Sequence, residues 1–150
     1  MNPSLSLPEY ESFVYTLQQQ FSTIVRSTLL VARRSRYLAE TKGALFFTGG
    51  YRLVIYESLT LDNGPLRIED YSYEVWRGDE KLYWYDSQAH PNDPTLASTA
   101  PHHKHIPPDI KHHRIPAPGL SFTPPNLPFL IQEIEAQISP RQADIDSFIC

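Results

Sequence analysis

Residues 44–87, ALFFTGGYRLVIYESLTLDNGPLRIEDYSYEVWRGDEKLYWYDS, decide the fold. Ala44–Phe47 is an apolar run that ends at Gly49-Gly50, turn chemistry between two strands. Tyr51, Leu53, Ile55, Leu59 and Leu61 alternate with Arg52, Val54, Tyr56, Ser58 and Thr60, the period of two that sends successive side chains to opposite faces. Asp62-Asn63-Gly64-Pro65 is a second turn. Leu66 and Ile68 then stand in one phase and Tyr71, Tyr73 and Val75 in the other, a slip around Glu69-Asp70 that predicts a β-bulge. Gly78-Asp79 turns the chain into Lys81–Ser87, with Leu82 and Trp84 on one side and Tyr83 and Tyr85 on the other. Strands joined by turns this short pair antiparallel, so residues 39–88 predict a meander of four or five strands.

Towards the N-terminus, Ser6, Pro8 and Glu9 read as a capping box, and Tyr10, Phe13, Val14, Leu17 and Phe21 follow helical spacing. A helix over 8–21 is predicted. In Thr23–Leu38, Ile24-Val25 and Leu29–Val31 suit a buried strand, while the length and Arg33-Arg34-Ser35-Arg36 also suit a helix; strand is preferred. Towards the C-terminus, prolines 91, 94, 101, 107, 108, 116 and 118 fix φ and remove donors, which predicts a long irregular loop over 89–126. Asn126-Leu127-Pro128 opens a helix over 127–138 with Phe129, Leu130, Ile134 and Ile138 on one side, stopped by Ser139-Pro140. The expected architecture is a single α+β domain over 1–150, a meander packed with an N-terminal and a C-terminal helix.

Composition bounds the function. With 150 residues, 41% hydrophobic content and a mean hydropathy of −0.38, the chain suits one soluble globular domain. No apolar run approaches the ~20 residues of a membrane span, and MNPSLSLPEYE lacks the regions of a signal peptide. The one cysteine, Cys150, leaves no intrachain disulfide, as expected in the cytoplasm. A net charge of −4 argues against a uniformly basic grip on nucleic acid, although positive charge clusters at Arg26–Arg36 and Lys104–Arg114.

All six histidines (His90, His102, His103, His105, His112, His113) fall between Asp86 and Pro118. Extended backbone places His103 and His105 on one side, at a spacing that can chelate a metal ion with help from His90 and Asp86. No HExxH or CxxC accompanies them, and a solvated polar loop accounts for such a cluster equally well. The acid–base reading needs no metal or cofactor. Pro101-His102-His103-Lys104-His105 sets a base, an acid and a cation in one short peptide, the parts needed to cleave RNA through its own 2′-OH. Asp86, before His90, orients an imidazole in this reading or else caps a turn; Tyr83 and Tyr85 stack on bases or else pack the sheet; Lys111 and Arg114 bind the substrate or else decorate the loop. No GxSxG elbow or phosphate-binding glycine loop is present.

Leu53-Val54-Ile55-Tyr56-Glu57, Tyr71-Ser72-Tyr73, Tyr85-Asp86 with His90, and Pro101-His102-His103-Lys104-His105 together resemble the TumE family of toxin components of bacterial toxin–antitoxin systems. The likeness covers roughly Gly43 to Ile134. The resemblance implies a small cytoplasmic toxin neutralised by a cognate antitoxin. The chemistry adds RNA as target and a metal-independent ribonuclease with histidine acid and base. A metal-dependent hydrolase or nuclease using the same histidines, and a non-enzymatic partner-binding protein, are the rivals. No membrane association is expected, and a homodimer is allowed.

Overall fold

The Ser6 hydroxyl accepts the Glu9 amide at 3.2 Å and Glu9 Oε1 accepts the Ser6 amide at 3.0 Å, the capping box that starts α1 (Leu7–Tyr15) in this computed structural model. The structure describes residues 5–61 and 64–149, from 139 onward as backbone only; Asp62 and Asn63 of the second expected turn, and Cys150, lie outside them. The helix predicted over 8–21 is broken at Thr16, whose hydroxyl donates to the Ser12 carbonyl at 2.7 Å and whose backbone leaves helical geometry. A threonine hydroxyl competing for backbone acceptors is a known helix-bending device. A short α2 (Leu17–Gln20) follows.

The sheet is larger than the expected four or five strands. Among the described residues eight strands form it: β1 (Ile24–Ser27), β2 (Leu30–Arg33), β3 (Leu38–Phe47), β4 (Tyr51–Thr60), β5 (Arg67–Arg77), β6 (Glu80–Asp86), β7 (His103–His105) and β8 (Arg114–Pro116). Their order is β1-β3-β4-β5-β6-β7-β8, with β2 also paired to β3, and every pairing is antiparallel. Thr23–Leu38, for which strand is preferred over helix, forms two strands, β1 and β2, that share β3. Gly43 permits this: at φ +136 it lies where an added Cβ would meet Thr28 O at 2.6 Å. The predicted bulge sits at Glu69, since Ser58 pairs with Asp70 and Leu59 with Ile68. The segment 89–126 is not one irregular loop. A 3₁₀ turn (Pro94–Thr99), β7 and β8 lie inside it, because Pro101 and Pro107 flank the three paired residues of β7 without interrupting them.

One face of the sheet makes the core. Leu53, Ile55, Leu59, Tyr73, Val75, Tyr83 and Tyr85 are buried in a single cluster with Tyr10, Val14 and Leu17 of α1–α2. From α3 (Leu127–Ile149) the same cluster takes Leu127, Leu130, Ile131 and Ile134, each worth roughly 1.5–3 kcal/mol on full burial. Phe129, expected on that face, is 38% exposed, and Trp84 lies on the opposite face of the sheet from Tyr83 and Tyr85. The helix also runs past Ser139-Pro140 to Ile149, because a proline removes one i→i−4 bond without preventing the flanking residues from continuing the spiral.

At the centre of this core lies a buried carboxylate. Glu57 accepts the Tyr73 hydroxyl at 2.5 Å and the Tyr10 hydroxyl through its other oxygen, and Asn126 Nδ2 donates to Tyr73 Oη at 3.1 Å. Burial pushes the Glu57 carboxyl above its ordinary range, against the hydroxyls that stabilise its charge. The network ties α1, β4, β5 and the start of α3 together.

Candidate functional site

The period of two decides which residues of Asp86 and PHHKH can meet. In the β6–β7 ladder Asp86 lies opposite His103 and Trp84 opposite His105, so these four share the face turned away from α3. Lys104, opposite Tyr85, projects to the other side, where its Nζ lies 3.1 Å from Glu133 of α3. The base, acid and cation read as one cluster in the sequence are therefore divided between two faces, as any extended tripeptide must divide them.

His103 Nε2 lies 2.9 Å from Asp86 Oδ1, His105 Nε2 lies 3.4 Å from Asp86 Oδ2, and the two Nε2 atoms are 3.0 Å apart. The opposite ring nitrogens are committed: His103 Nδ1 is 3.0 Å from the Pro101 carbonyl and His105 Nδ1 is 3.0 Å from the Ile110 carbonyl. A carbonyl can only accept, so each Nδ1 carries a proton and each Nε2 is the atom presented to Asp86. The Trp84 ring stacks on His105 at 3.8 Å and donates its indole N–H to the same Ile110 carbonyl. His103 and His105 are 1% and 3% exposed. Burial alone would lower His103, but the Asp86 hydrogen bond, the Pro101 carbonyl and the Asp86 charge outweigh it and raise the imidazole above its usual range. Burial dominates at His105 and lowers it, with Asp86 offsetting part. Asp86 is lowered overall: burial opposes, and the His103 hydrogen bond and charge prevail. Among the described residues Asp86, His103 and His105 are the group whose ligand-type atoms all lie within 4.8 Å of one another, and so the residues that could hold a metal.

The other sequence-chosen residues take separate places. His102 points away from the pair and shares a 2.6 Å hydrogen bond with the Tyr71 hydroxyl. His90 sets its ring edge-on to His103 at 4.7 Å and lines an open groove of about 440 Å³ with Asp93, Pro94 and Arg114. Arg114, paired with His105 across the β7–β8 ladder, has its Nε buried without a hydrogen-bond partner among the described residues, while its Nη1 lies 4.0 Å from Asp93. Tyr83 and Tyr85 are buried on the core face, where Gln137 and Glu133 of α3 hold their hydroxyls. Lys111, His112 and His113 are exposed.

The sheet face that carries the centre also carries residues the sequence reading passed over. Arg26, Phe46, Arg52, Trp76 and Lys81 are cross-strand neighbours in a row over five strands. The Arg26 guanidinium lies 4.3 Å above Phe46, Arg52 lies 5.1 Å from Trp76, and Lys81 lies 5.8 Å from Trp76 and 4.5 Å from Trp84. Glu74 sits among them, 3.1 Å from Lys81. A second groove, about 560 Å³, is lined by Tyr56, Asp70, Ser72, Trp84, Asp86 and Ser87. The signal was present in the polar phase of β4 and β5, where Arg52 and Trp76 alternate with buried residues; aromatic residues in both phases of β6 hid which face was open.

Comparison with known proteins gives the family of the chain. The family model described as Toxin TumE matches residues 14–138 of the 150-residue chain, far more than half of it, and the chain belongs to that family. No curated protein and no solved structure matches it. Membership makes the chain a toxin of a toxin–antitoxin system and implies a cognate antitoxin as partner. No helix among the described residues is long and apolar enough to cross a membrane.

Proposed function

From membership of the TumE family as premise, we propose that this toxin acts in the cytoplasm on single-stranded RNA, bound across the open sheet face and cleaved beside Asp86, His103 and His105. The observation that carries this reading is the row Arg26, Phe46, Arg52, Trp76 and Lys81, which leads towards Trp84 and Asp86. Single-stranded nucleic acid is gripped by aromatic faces that stack on bases and cations that follow the phosphates, a combination that tolerates any sequence. Arg114, whose Nη1 lies 4.0 Å from Asp93 in the His90 groove, adds a cation for the phosphates close to the centre.

Of the two chemistries the sequence left open, direct imidazole acid–base catalysis and metal-assisted cleavage, the geometry favours the second. Both Nε2 atoms face each other and Asp86, and exposures of 1% and 3% give a substrate hydroxyl no approach to either. Tyr83, Tyr85 and Lys104 have no part in the reading, since all three engage α3.

Induced expression is expected to arrest growth and fragment RNA, with His105→Ala abolishing both. In vitro, Trp76→Ala and Arg52→Ala should each weaken binding of a labelled single-stranded RNA, the tryptophan by about 5- to 150-fold for one lost stacking contact. Unchanged affinity in both variants, or arrest that survives His105→Ala, refutes the reading. Equal cleavage of single-stranded DNA would transfer it from RNA to DNA.

A further inference from the structure

We propose that Asp86, His103 and His105 form a binding site for one divalent first-row transition-metal ion, held by the Asp86 carboxylate and the two Nε2 atoms. This deepens the proposed function by naming what its centre holds; the consequence for RNA rests on that reading, whereas binding of the ion does not.

Three observations support it. The first is spacing. An ion bound at about 2.0–2.2 Å to nitrogen and oxygen holds neighbouring ligand atoms about 2.9–3.5 Å apart. Here the two Nε2 atoms are 3.0 Å apart, His103 Nε2 is 2.9 Å from Asp86 Oδ1 and His105 Nε2 is 3.4 Å from Asp86 Oδ2, so each histidine faces its own carboxylate oxygen, and one ligand atom from each residue lies within 4.8 Å of the others. The second is the tautomer. Both Nδ1–H groups are spent on the Pro101 and Ile110 carbonyls, which turns both Nε2 lone pairs inward and fixes the rings, as outer partners do for metal-bound histidines. The third is composition: two imidazoles and one carboxylate are the set that suits zinc, manganese or iron(II), and they leave further positions for water or substrate. Of the three residues, Asp86 also lines the groove of about 560 Å³, beside Tyr56, Ser72 and Trp84. The chemistry that such an ion would supply is a bound water of lowered pKa.

The sequence places the site as economically as it could. Two histidines one residue apart share a face only on a strand, and the β6–β7 register sets Asp86 opposite the first of them.

The test uses the full chain, purified without an affinity tag, stripped with EDTA and titrated with Zn²⁺ and with Co²⁺ alone. The expected result is one ion per chain, a visible Co²⁺ absorption band from nitrogen and oxygen ligands, and a raised melting temperature with Zn²⁺. His103→Ala, His105→Ala and Asp86→Asn should each weaken binding at least ~100-fold, beyond the effect of losing an outer partner. His112→Ala and His113→Ala, on the exposed turn before β8, should leave it unchanged. Circular dichroism checks that the variants fold, and the wild-type cobalt spectrum stands without them. Absence of a stoichiometric ion in the wild type, or an unaltered cobalt band in the His103→Ala, His105→Ala double variant, overturns the proposal. RNA cleavage by the stripped, ion-free protein would overturn the ion's part in cleavage while sparing the RNA reading, and the titration alone decides whether the ion binds. A bound ion in a protein that neither binds nor cleaves RNA would sustain the site and remove the RNA reading.

Discussion

Glu57 offers a sharp test of the core, because two substitutions there differ in what they leave behind. Tyr10 and Tyr73 both donate to its carboxylate, and all three side chains are fully buried. In Glu57→Ala two buried hydroxyls lose their acceptor, at about 1–3 kcal/mol each, with the cost of a cavity added. The loss should reach roughly 3–6 kcal/mol, a large part of the stability of a domain this size. Glu57→Gln keeps the shape: its carbonyl accepts one hydroxyl and its amide donates to the other. Weaker neutral hydrogen bonds replace charge-assisted ones, but a buried charge disappears, so the net change should stay within about 2 kcal/mol.

The pH dependence separates the two effects further. Burial holds the folded-state pKa of Glu57 above the ordinary carboxylate range. The folded protein therefore holds this proton more tightly than the unfolded chain. Its contribution is fully present below the unfolded value and is lost as pH rises through the folded one, by up to about 1.4 kcal/mol per pH unit. Urea unfolding of the stripped protein, followed by tryptophan fluorescence from pH 4.5 to 8, measures this. The wild-type minus Glu57→Gln difference should fall with rising pH. A flat difference, or a Glu57→Gln variant as unstable as Glu57→Ala, would refute the account of the network.

Two glycines and one lysine test other placements. Gly43→Ala should be destabilising by at least ~1–3 kcal/mol in thermal unfolding, since its Cβ would meet Thr28 and Leu29 backbone at 2.6–2.9 Å and its φ is +136. Gly119→Ala should be milder although the nearest atom is at 2.4 Å, because that atom belongs to the Phe129 ring, which is 38% exposed and free to swing. Lys104→Ala should leave metal binding and RNA cleavage intact and cost no more than ~1 kcal/mol, the value of a partly exposed ion pair with Glu133; loss of either activity would mean that Lys104 serves the centre.

The strands and the bulge were legible because burial on one face writes itself as alternation. Leu53, Ile55, Tyr73 and Val75 are all on the core side, and the phase slip at Glu69 is the extra residue of the ladder. The capping box was legible because it is local chemistry. What failed had its cause at a distance. Histidine and proline are poor strand formers, and β7 exists because β6 offers an open edge, a tertiary fact that no local window carries. On β6 the pattern Leu82-Tyr83-Trp84-Tyr85 is apolar in both phases, so alternation could not tell which aromatic residues face α3. The residue types of the centre were legible, but their grouping was not: His102 and Lys104 were read with His103 and His105 because they are adjacent in sequence, and the strand separates them.

The core network and the metal centre are also neighbours through one residue pair, which bears on how toxin variants should be judged. Tyr73, bonded to Glu57, stacks on Tyr71 at 4.8 Å, and the Tyr71 hydroxyl meets His102 Nδ1 at 2.6 Å, one residue before His103. Loss of toxicity at Glu57 could therefore arise from a depleted folded population or from a displaced β7. The two differ in what the surviving protein does. Depletion lowers the amount of ion bound without changing the ligand field, so the cobalt band keeps its position and loses only intensity. A shift of His103 relative to Asp86 and His105 moves the band itself. Tyr71→Phe, which removes the hydroxyl from His102 and leaves Glu57 with both its donors, should preserve stability to within about 0.5–1.5 kcal/mol and bind the ion one to one. A Tyr71→Phe protein that is stable yet has lost the ion would show that His102 and Tyr71 hold β7 in register for the centre.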